Sequence, residues 1–425
     1  MGVALTVAAL PLWMRLSLVD ECRGRVEHAL SAVAHGENRD TPEEMQLYAA
    51  LGASLLYTKG PAPETGAAWT NALEIAERLG DTGCQLRALR GLWAYRLNNG
   101  EYQAALTLAQ RFSSLTAKQT DPADLLVGER MTGTAMHYLG NQTGARRHIE
   151  RALGGYAARP PPDRYQFDQR VTALATLARI LWLQGFPDRA MRSALESVEE
   201  AQAGEDILSL CNALVQAACP VALFVGDLAS ADRYITTLLD NSAKHGLALW
   251  HARGRGFNGM LLNKTGDTAA GLRLLGAALE ELRETKYTGH LMAFLGAFAE
   301  ASGRVGRVTE GLVAIDEALA RSERTGARWG IAELLRIKGE LAVLEGAPNA
   351  AEVSEGLFLQ GLGWARDQGA LSWELRAANS LARLRQAQGR AKEARELLVP
   401  VYDRFTEGFA TADLRAANAL LDDLQ

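Results

Sequence analysis

Apolar residues recur every three or four positions along nearly the whole chain, the spacing of one buried helix face. No stretch shows the strict alternation of a half-buried strand. Glycine punctuates the apolar segments. Gly100, Gly140, Gly185, Gly226, Gly266, Gly306, Gly346 and Gly389 each follow one such segment and precede another, at intervals of 40, 45, 41, 40, 40, 40 and 43 residues. Five residues after each stands a small residue: Ala105, Ala145, Ala190, Ala231, Gly271, Gly311, Ala351 and Ala394. Seven before stand Trp93, Gly133, Ala178, Cys219, Gly259, Ala299, Gly339 and Ala382, all small except Trp93. Antiparallel helices approach to about 8–10 Å only where small side chains meet. The glycine supplies the left-handed backbone that ends the first helix.

The pattern predicts a repeated helical hairpin. Gly80, Gly204, Gly246, Gly326 and Gly369 end the second helices, and the phase continues less regularly toward the start as 42–59 with 64–79 and 1–19 with 21–34. The expected fold is all-α, a stack of about ten antiparallel helix pairs. Pro160-Pro161-Pro162 falls in the longest interval and should break it into two arrays, 1–159 and 160–425, the second with a capping helix at 411–425. Pro220 should bend the first helix it sits in.

The glycine turn with its small flanking positions resembles the tetratricopeptide repeat, with helices lengthened beyond that family's 34-residue period. Three stretches, 9–30, 167–194 and 372–424, resemble the C-terminal helical arm of large bacterial signal-transduction ATPases. In that family a winged-helix DNA-binding domain or a nucleotide cyclase domain comes first, a P-loop ATPase next, and the arm last. The chain has no G-x-x-x-x-G-K-[ST]: Gly128-Glu-Arg-Met-Thr-Gly133 lacks the lysine. The resemblance therefore implies the arm alone.

Composition narrows the function classes. With 48% hydrophobic and 22% charged residues the chain has the balance of a globular protein. Its 45 basic and 50 acidic side chains leave a net charge of −5, not a nucleic-acid binder's signature. Residues 1–14 are uncharged but lack the basic start of a signal peptide and are too short to span a bilayer, so a buried helix is expected there. No other segment is expected to span one. Cys22, Cys84, Cys211 and Cys219 form no C-x-x-C pair, which fits a reducing cytoplasm.

Catalytic and metal motifs are missing from the sequence. Gly254-Arg-Gly256-Phe-Asn-Gly259 matches a dinucleotide fingerprint, but it falls inside a first helix rather than between strand and helix, and helix packing explains it better. The seven histidines form no ligand spacing, and paired acids such as Glu199-Glu200 diverge by about 100° on a helix. No catalytic residue, metal or cofactor is expected.

The repeat resemblance implies that first-helix residues 13, 10, 6 and 3 before each turn glycine line the concave side. The basic ones are Arg87, Arg90, Arg130, Arg179, Arg253, Arg336, Arg376 and Arg383; His137 and Trp182 share the face, and Glu300, Glu333 and Glu340 are its acids. From 87 to 253 the face carries arginine without acid, which would suit carboxylates or phosphates. Tyr165, Phe167, Asp168, Arg170 and Trp182 mark a second place for a small ligand.

The leading expectation is a non-catalytic scaffold, a sensing or interaction arm that binds a protein segment or another domain of its own system. The alternatives are a solenoid sensing a small-molecule effector, or the tail of a nucleotide cyclase. DNA binding by this chain, and membrane association, are not expected. The helix near residue 1 is apolar nearly all round, so the chain is expected to be the tail of a longer polypeptide or split gene, and to self-associate through that end when alone.

Overall fold

The computed structural model describes residues 2–16, 18–34, 40–117, 121–155, 167–285 and 287–424. Among them every regular element is helical. In chain order these are α1 (Gly2–Arg15), α2 (Val19–Ala34), α3 (Pro42–Thr58), α4 (Pro63–Leu79), α5 (Thr82–Asn98), α6 (Tyr102–Thr116), α7 (Pro122–Tyr138) and α8 (Gln142–Gly155). Then come α9 (Gln169–Leu183), α10 (Pro187–Ala203), α11 (Ile207–Ala213), a π-helical turn (Leu214–Ala218) and α12 (Cys219–Val225). The series ends with α13 (Leu228–Lys244), α14 (Ala248–Thr265), α15 (Thr268–Glu284), α16 (Leu291–Arg304), α17 (Val308–Thr325), α18 (Ile331–Glu345), α19 (Ala350–Gln368), α20 (Leu371–Ala387), α21 (Ala391–Tyr402) and α22 (Ala412–Asp423). With α11, the π turn and α12 as one rod, the described helices form ten hairpins followed by α22.

All eight hairpin glycines adopt positive φ, from 71° at Gly346 to 106° at Gly266. The small positions meet across the pairs. A Cβ built on Gly259 would lie 2.8 Å from the Gly271 carbonyl, and one on Gly311 2.9 Å from the Ala299 carbonyl. Ala178 and Ala190 are fully buried in one core cluster. Two positions depart from the expected phase. Ala351 is exposed, because Ala347, Pro348 and Asn349 delay the start of α19; Ser354 takes the facing place and donates its hydroxyl to the Gly339 carbonyl at 2.9 Å. Gly204 stays right-handed at φ −83°, and Glu205 carries the positive φ instead, at 53°.

Pro220 produces a widened turn. It has no N–H to offer the Gln216 carbonyl, and just before it the Cys219 N–H reaches back five residues to Leu214. The rod Ile207–Val225 is long and apolar enough to cross a bilayer, against expectation. Most of it is buried within the protein, and that burial accounts for its apolar character.

The chain divides into two compact units, residues 1–135 with 282–289, and 136–281 with 290–425. The array junction expected at 159/160, the triple proline and Tyr165 lie outside the described residues.

In the first unit the face of α1 bearing Val3, Val7, Leu10 and Trp13 packs on Cys22, Val26 and Leu47. Its opposite face leaves Leu5 71% and Leu12 57% exposed, and Leu16, just past its end, is 57% exposed. Residues 282–289 join this unit through Thr288, whose N–H and hydroxyl both donate to the Asn98 carbonyl, at 3.2 and 2.7 Å.

The second unit closes on itself. The Arg328 N–H donates to the Tyr138 carbonyl at 2.8 Å, and the Ser372 hydroxyl donates to the Trp182 carbonyl. Arg189 pairs with Glu407 at 2.8 Å, and the Gly408 N–H donates to Asp188 at 3.0 Å. Helices separated by about two hundred residues of sequence thereby share one core, in which Trp182, Ala332 and Trp373 lie together.

Candidate functional site

The arginines of the expected inner face mostly do not stand free in a groove; aromatic rings seat them. In the first unit Arg87 is exposed and Arg90 half-buried, while Arg130 is buried with its guanidinium 5.0 Å from the Trp93 ring centre. In the second unit Arg179 is buried 5.2 Å over Tyr138 and donates to that residue's hydroxyl at 3.0 Å. Arg253 is buried 4.6 Å over Trp250. Desolvation of the cation and the ring makes such contacts worth about 2 kcal/mol each.

His137 is fully buried. Its Nδ1 donates to Gln142 Oε1 at 2.9 Å, and Gln142 Nε2 returns a hydrogen bond to the His137 carbonyl at 3.1 Å. Burial, with repulsion from Arg179 and against the Gln142 bond, pushes its pKa down to about 3, so the ring is neutral at pH 7.

Asp168 and Arg170 serve the start of α9. Asp168 caps it, accepting from the Arg170 and Val171 N–H groups at 2.9 and 3.1 Å. Arg170 pairs with Glu196 and Glu200 of α10, both at 2.6 Å. Trp182 sits at the other end of α9, about 20 Å along by helix rise, so these three side chains form no common site.

Trp182 belongs to a different cluster. It stacks on Phe224 with ring centres 4.4 Å apart and meets Trp373 edge-on at 4.5 Å. This cluster backs a pocket enclosing ≈ 700 Å³ of empty space, part of it open to solvent. First helices supply most of its wall. Phe224 comes from α12, Met260 and Lys264 from α14, Met292 to Glu300 from α16, Glu333 to Ile337 from α18, and Trp373 and Arg376 from α20; Trp329 stands in the connection before α18. Trp373 Nε1 donates to the Trp329 backbone carbonyl at 2.9 Å, which fixes the Trp373 ring.

The charges on this wall are almost all spent on one another. Arg336 donates to Glu333 at 2.7 and 3.0 Å and to Glu300 at 3.1 Å. Arg376 reaches Glu333 at 3.0 Å, Asp413 at 2.7 Å and the Phe224 carbonyl at 3.1 Å. Arg304 approaches Glu300 at 3.4 Å. Burial alone would raise the Glu300 carboxyl, but Arg336, Arg304 and Lys264 outweigh it and hold it at about 2. Glu333 is lowered in the same way by Arg336 and Arg376. Lys264 forms no ion pair with any described residue, and its side chain stays open to solvent. Crowding by the walls and repulsion from Arg376 keep its pKa below the usual lysine value, against the pull of Glu300 and Asp413.

Sequence reasoning named Glu300, Glu333 and Arg376, and its six-before position covers Met260, but it missed Lys264, Phe224, Trp329 and Trp373. Lys264 and Phe224 stand two residues before turn glycines, one helical turn after the six-before position, and Trp373 stands sixteen before one, one turn ahead of the thirteen-before position. The fingerprint-like glycines serve packing. A Cβ on Gly254 would meet Leu239 at 2.8 Å, and Gly256 lies against the Phe294 ring.

No family model matches the chain. It is similar to an uncharacterized protein of Rhizobium meliloti, 25% identical over 385 residues; the match covers 88% of this chain and spans 37% of that relative's length. Among solved structures, the apo form of RapI aligns over 67% of this chain and 99% of its own, with a TM-score of 0.50 at 13% identity. A signal-transduction ATPase with numerous domains and a tetratricopeptide repeat sensor, from Pyrococcus horikoshii, aligns over 90% of this chain and 50% of its own, with a TM-score of 0.42 at 13% identity. The fold is a tetratricopeptide-like α-solenoid.

Proposed function

We propose that this chain is a non-catalytic helical-repeat scaffold, the sensing and interaction arm of a bacterial signal-transduction or transcriptional-regulator ATPase. The pocket of the second unit carries this reading. First helices of five successive hairpins converge on it, the Trp373 ring at its base is fixed by a hydrogen bond, and its charged groups hold one another in place. Such a site is built to hold a ligand in one orientation. Its largely apolar wall with a few polar groups also favours a second reading, a solenoid sensing a small effector. Three stretches of sequence that resemble the ATPase arms support the wider assignment. Work in the cytoplasm fits the four free cysteines, of which burial pushes Cys84 up to about 11 and Cys211 to about 12.

Ala293 lines the pocket and is half-buried, so Ala293→Trp should fill the cavity without entering the core. Peptide and metabolite fractions from a bacterial extract are titrated against both proteins, with Trp fluorescence and melting temperature as readouts. Fractions that shift the parent and leave the filled variant unmoved support the reading. Equal responses from the two overturn it.

A further inference from the structure

The charge pattern of the pocket specifies a class of ligand, an inference that rests on the pocket being the ligand site. Glu300 and Glu333 cannot receive a ligand cation cheaply, because Arg336, Arg304 and Arg376 already occupy their oxygens. Arg376 is committed through all three of its nitrogens. Lys264 is different. It lines the pocket, makes no ion pair with any described residue and remains open to solvent. A ligand that displaces water from this pocket without bringing a negative charge would leave that ammonium partly desolvated and without a direct anionic partner, since the nearby Glu300 and Asp413 are held by arginines. Much of the wall is apolar, with Met260, Met292, Leu334, Ile337 and Trp329 among the lining residues.

We propose that this pocket takes an amphipathic carboxylate, its anionic head on Lys264 and its apolar body against Trp329 and the Met260–Met292 side. Two sources share this chemistry, a free aryl or alkyl acid and the C-terminal end of a peptide with an apolar last residue.

Calorimetric titration of the full chain with four probes tests it: 6-phenylhexanoate, 6-phenylhexanamide, and a pentapeptide ending in Leu-Phe as the free acid and as the C-terminal amide. At least one acid should bind about tenfold more tightly than its amide, the worth of one charge-assisted hydrogen bond. Lys264→Met should abolish that preference and Lys264→Arg keep it, with unchanged helicity by circular dichroism. A stronger preference in the peptide pair than in the small-acid pair identifies a chain end as the source, and the reverse identifies a free acid. If acids and amides bind the parent alike and Ala293→Trp excludes both, the pocket remains the ligand site and the carboxylate inference fails. A preference that survives Lys264→Met, or no binding by any probe, also overturns it.

Discussion

Gly259→Ala and Gly363→Ala are the same chemical change and should move stability in opposite directions. Both glycines lie inside helices, Gly259 in α14 and Gly363 in α19. Replacing an exposed mid-helix glycine by alanine gains about 1 kcal/mol from backbone entropy. Gly363 is exposed, and a Cβ there meets nothing within 4 Å, so the full gain should appear. At Gly259 the new carbon would lie 2.8 Å from the Gly271 carbonyl oxygen, 2.9 Å from Leu275 Cγ and 3.0 Å from the Leu275 nitrogen. Two of those neighbours are backbone atoms of α15 and cannot rotate away. Restoring an ordinary carbon–oxygen contact of about 3.3 Å requires the helices to part by about half an ångström. Overpacking of that kind costs about 1–3 kcal/mol, and parting the pair also loosens its neighbours. The net expectation is a loss of about 1–2 kcal/mol for Gly259→Ala against a gain of up to about 1 kcal/mol for Gly363→Ala. Urea unfolding followed by Trp fluorescence and by circular dichroism measures both. If Gly259→Ala stabilises as much as Gly363→Ala, small residues are not what sets the approach of the hairpin helices.

Acid should weaken the second unit through its buried histidines. The His137 pKa is lowered from 6.5 to about 3, and His290 is lowered well below 6.5 by burial together with Arg253 and Arg179. A depressed folded-state pKa gives stability that is complete above the unfolded value and is lost as pH falls toward the folded one. Each histidine therefore contributes a slope of up to about 1.4 kcal/mol per pH unit below pH 6.5, continuing toward pH 3 for His137. His137→Gln should flatten urea midpoints measured between pH 6.5 and 4.5, and an unchanged slope would mean the ring is hydrated. At the other end of the chain, Leu5→Glu with Leu12→Glu should reduce self-association in sedimentation velocity, because both side chains are exposed on the outer face of α1. Equal sedimentation of parent and variant would place any association elsewhere.

The hairpin phase was readable because its cause is local. Positive φ at the turn selects glycine, and close approach twelve positions apart selects small side chains. The same reasoning misplaced Ala351, since two extra turn residues shift a helix start without disturbing the count of small residues. It also marked the inner-face arginines but not their seats. Trp93, Tyr138 and Trp250 are aromatic residues in an apolar pattern, which within one helix is indistinguishable from core. What separates an arginine over a ring from one in water is the neighbouring hairpin, which a single helix pattern does not encode. The pocket was the least legible feature. Its wall depends on Trp182 meeting Trp373 when the second unit closes, a contact spanning nearly half the sequence.

That closure gives Arg376 a role that can be isolated. One guanidinium joins three helices, donating to the Phe224 carbonyl on α12, to Glu333 on α18 and to Asp413 on α22. Its side chain is only 15% exposed, and the two carboxylates 14% and 27%, so the pairs are weakly screened. Removing one partner of a buried pair costs about 3–5 kcal/mol, because the remaining carboxylates keep their charge without their cation. The cost should not be spread evenly. Glu333 retains Arg336, so α18 keeps a compensating bond. Asp413 has no other ion pair among the described residues, and α22 holds to the stack mainly through Leu414, Ala417 and Leu420. Arg376→Met keeps an unbranched apolar stem and removes the charge together with its three hydrogen bonds. Amide exchange in α22 should then quicken, while the start of α9, capped by Asp168 about 20 Å along the helix from the Trp182 ring that Arg376 covers, should not change. Uniform quickening across the second unit would show that Arg376 supports the whole closure rather than the seat of α22. An α22 no faster than in the parent would show that its apolar face alone holds it.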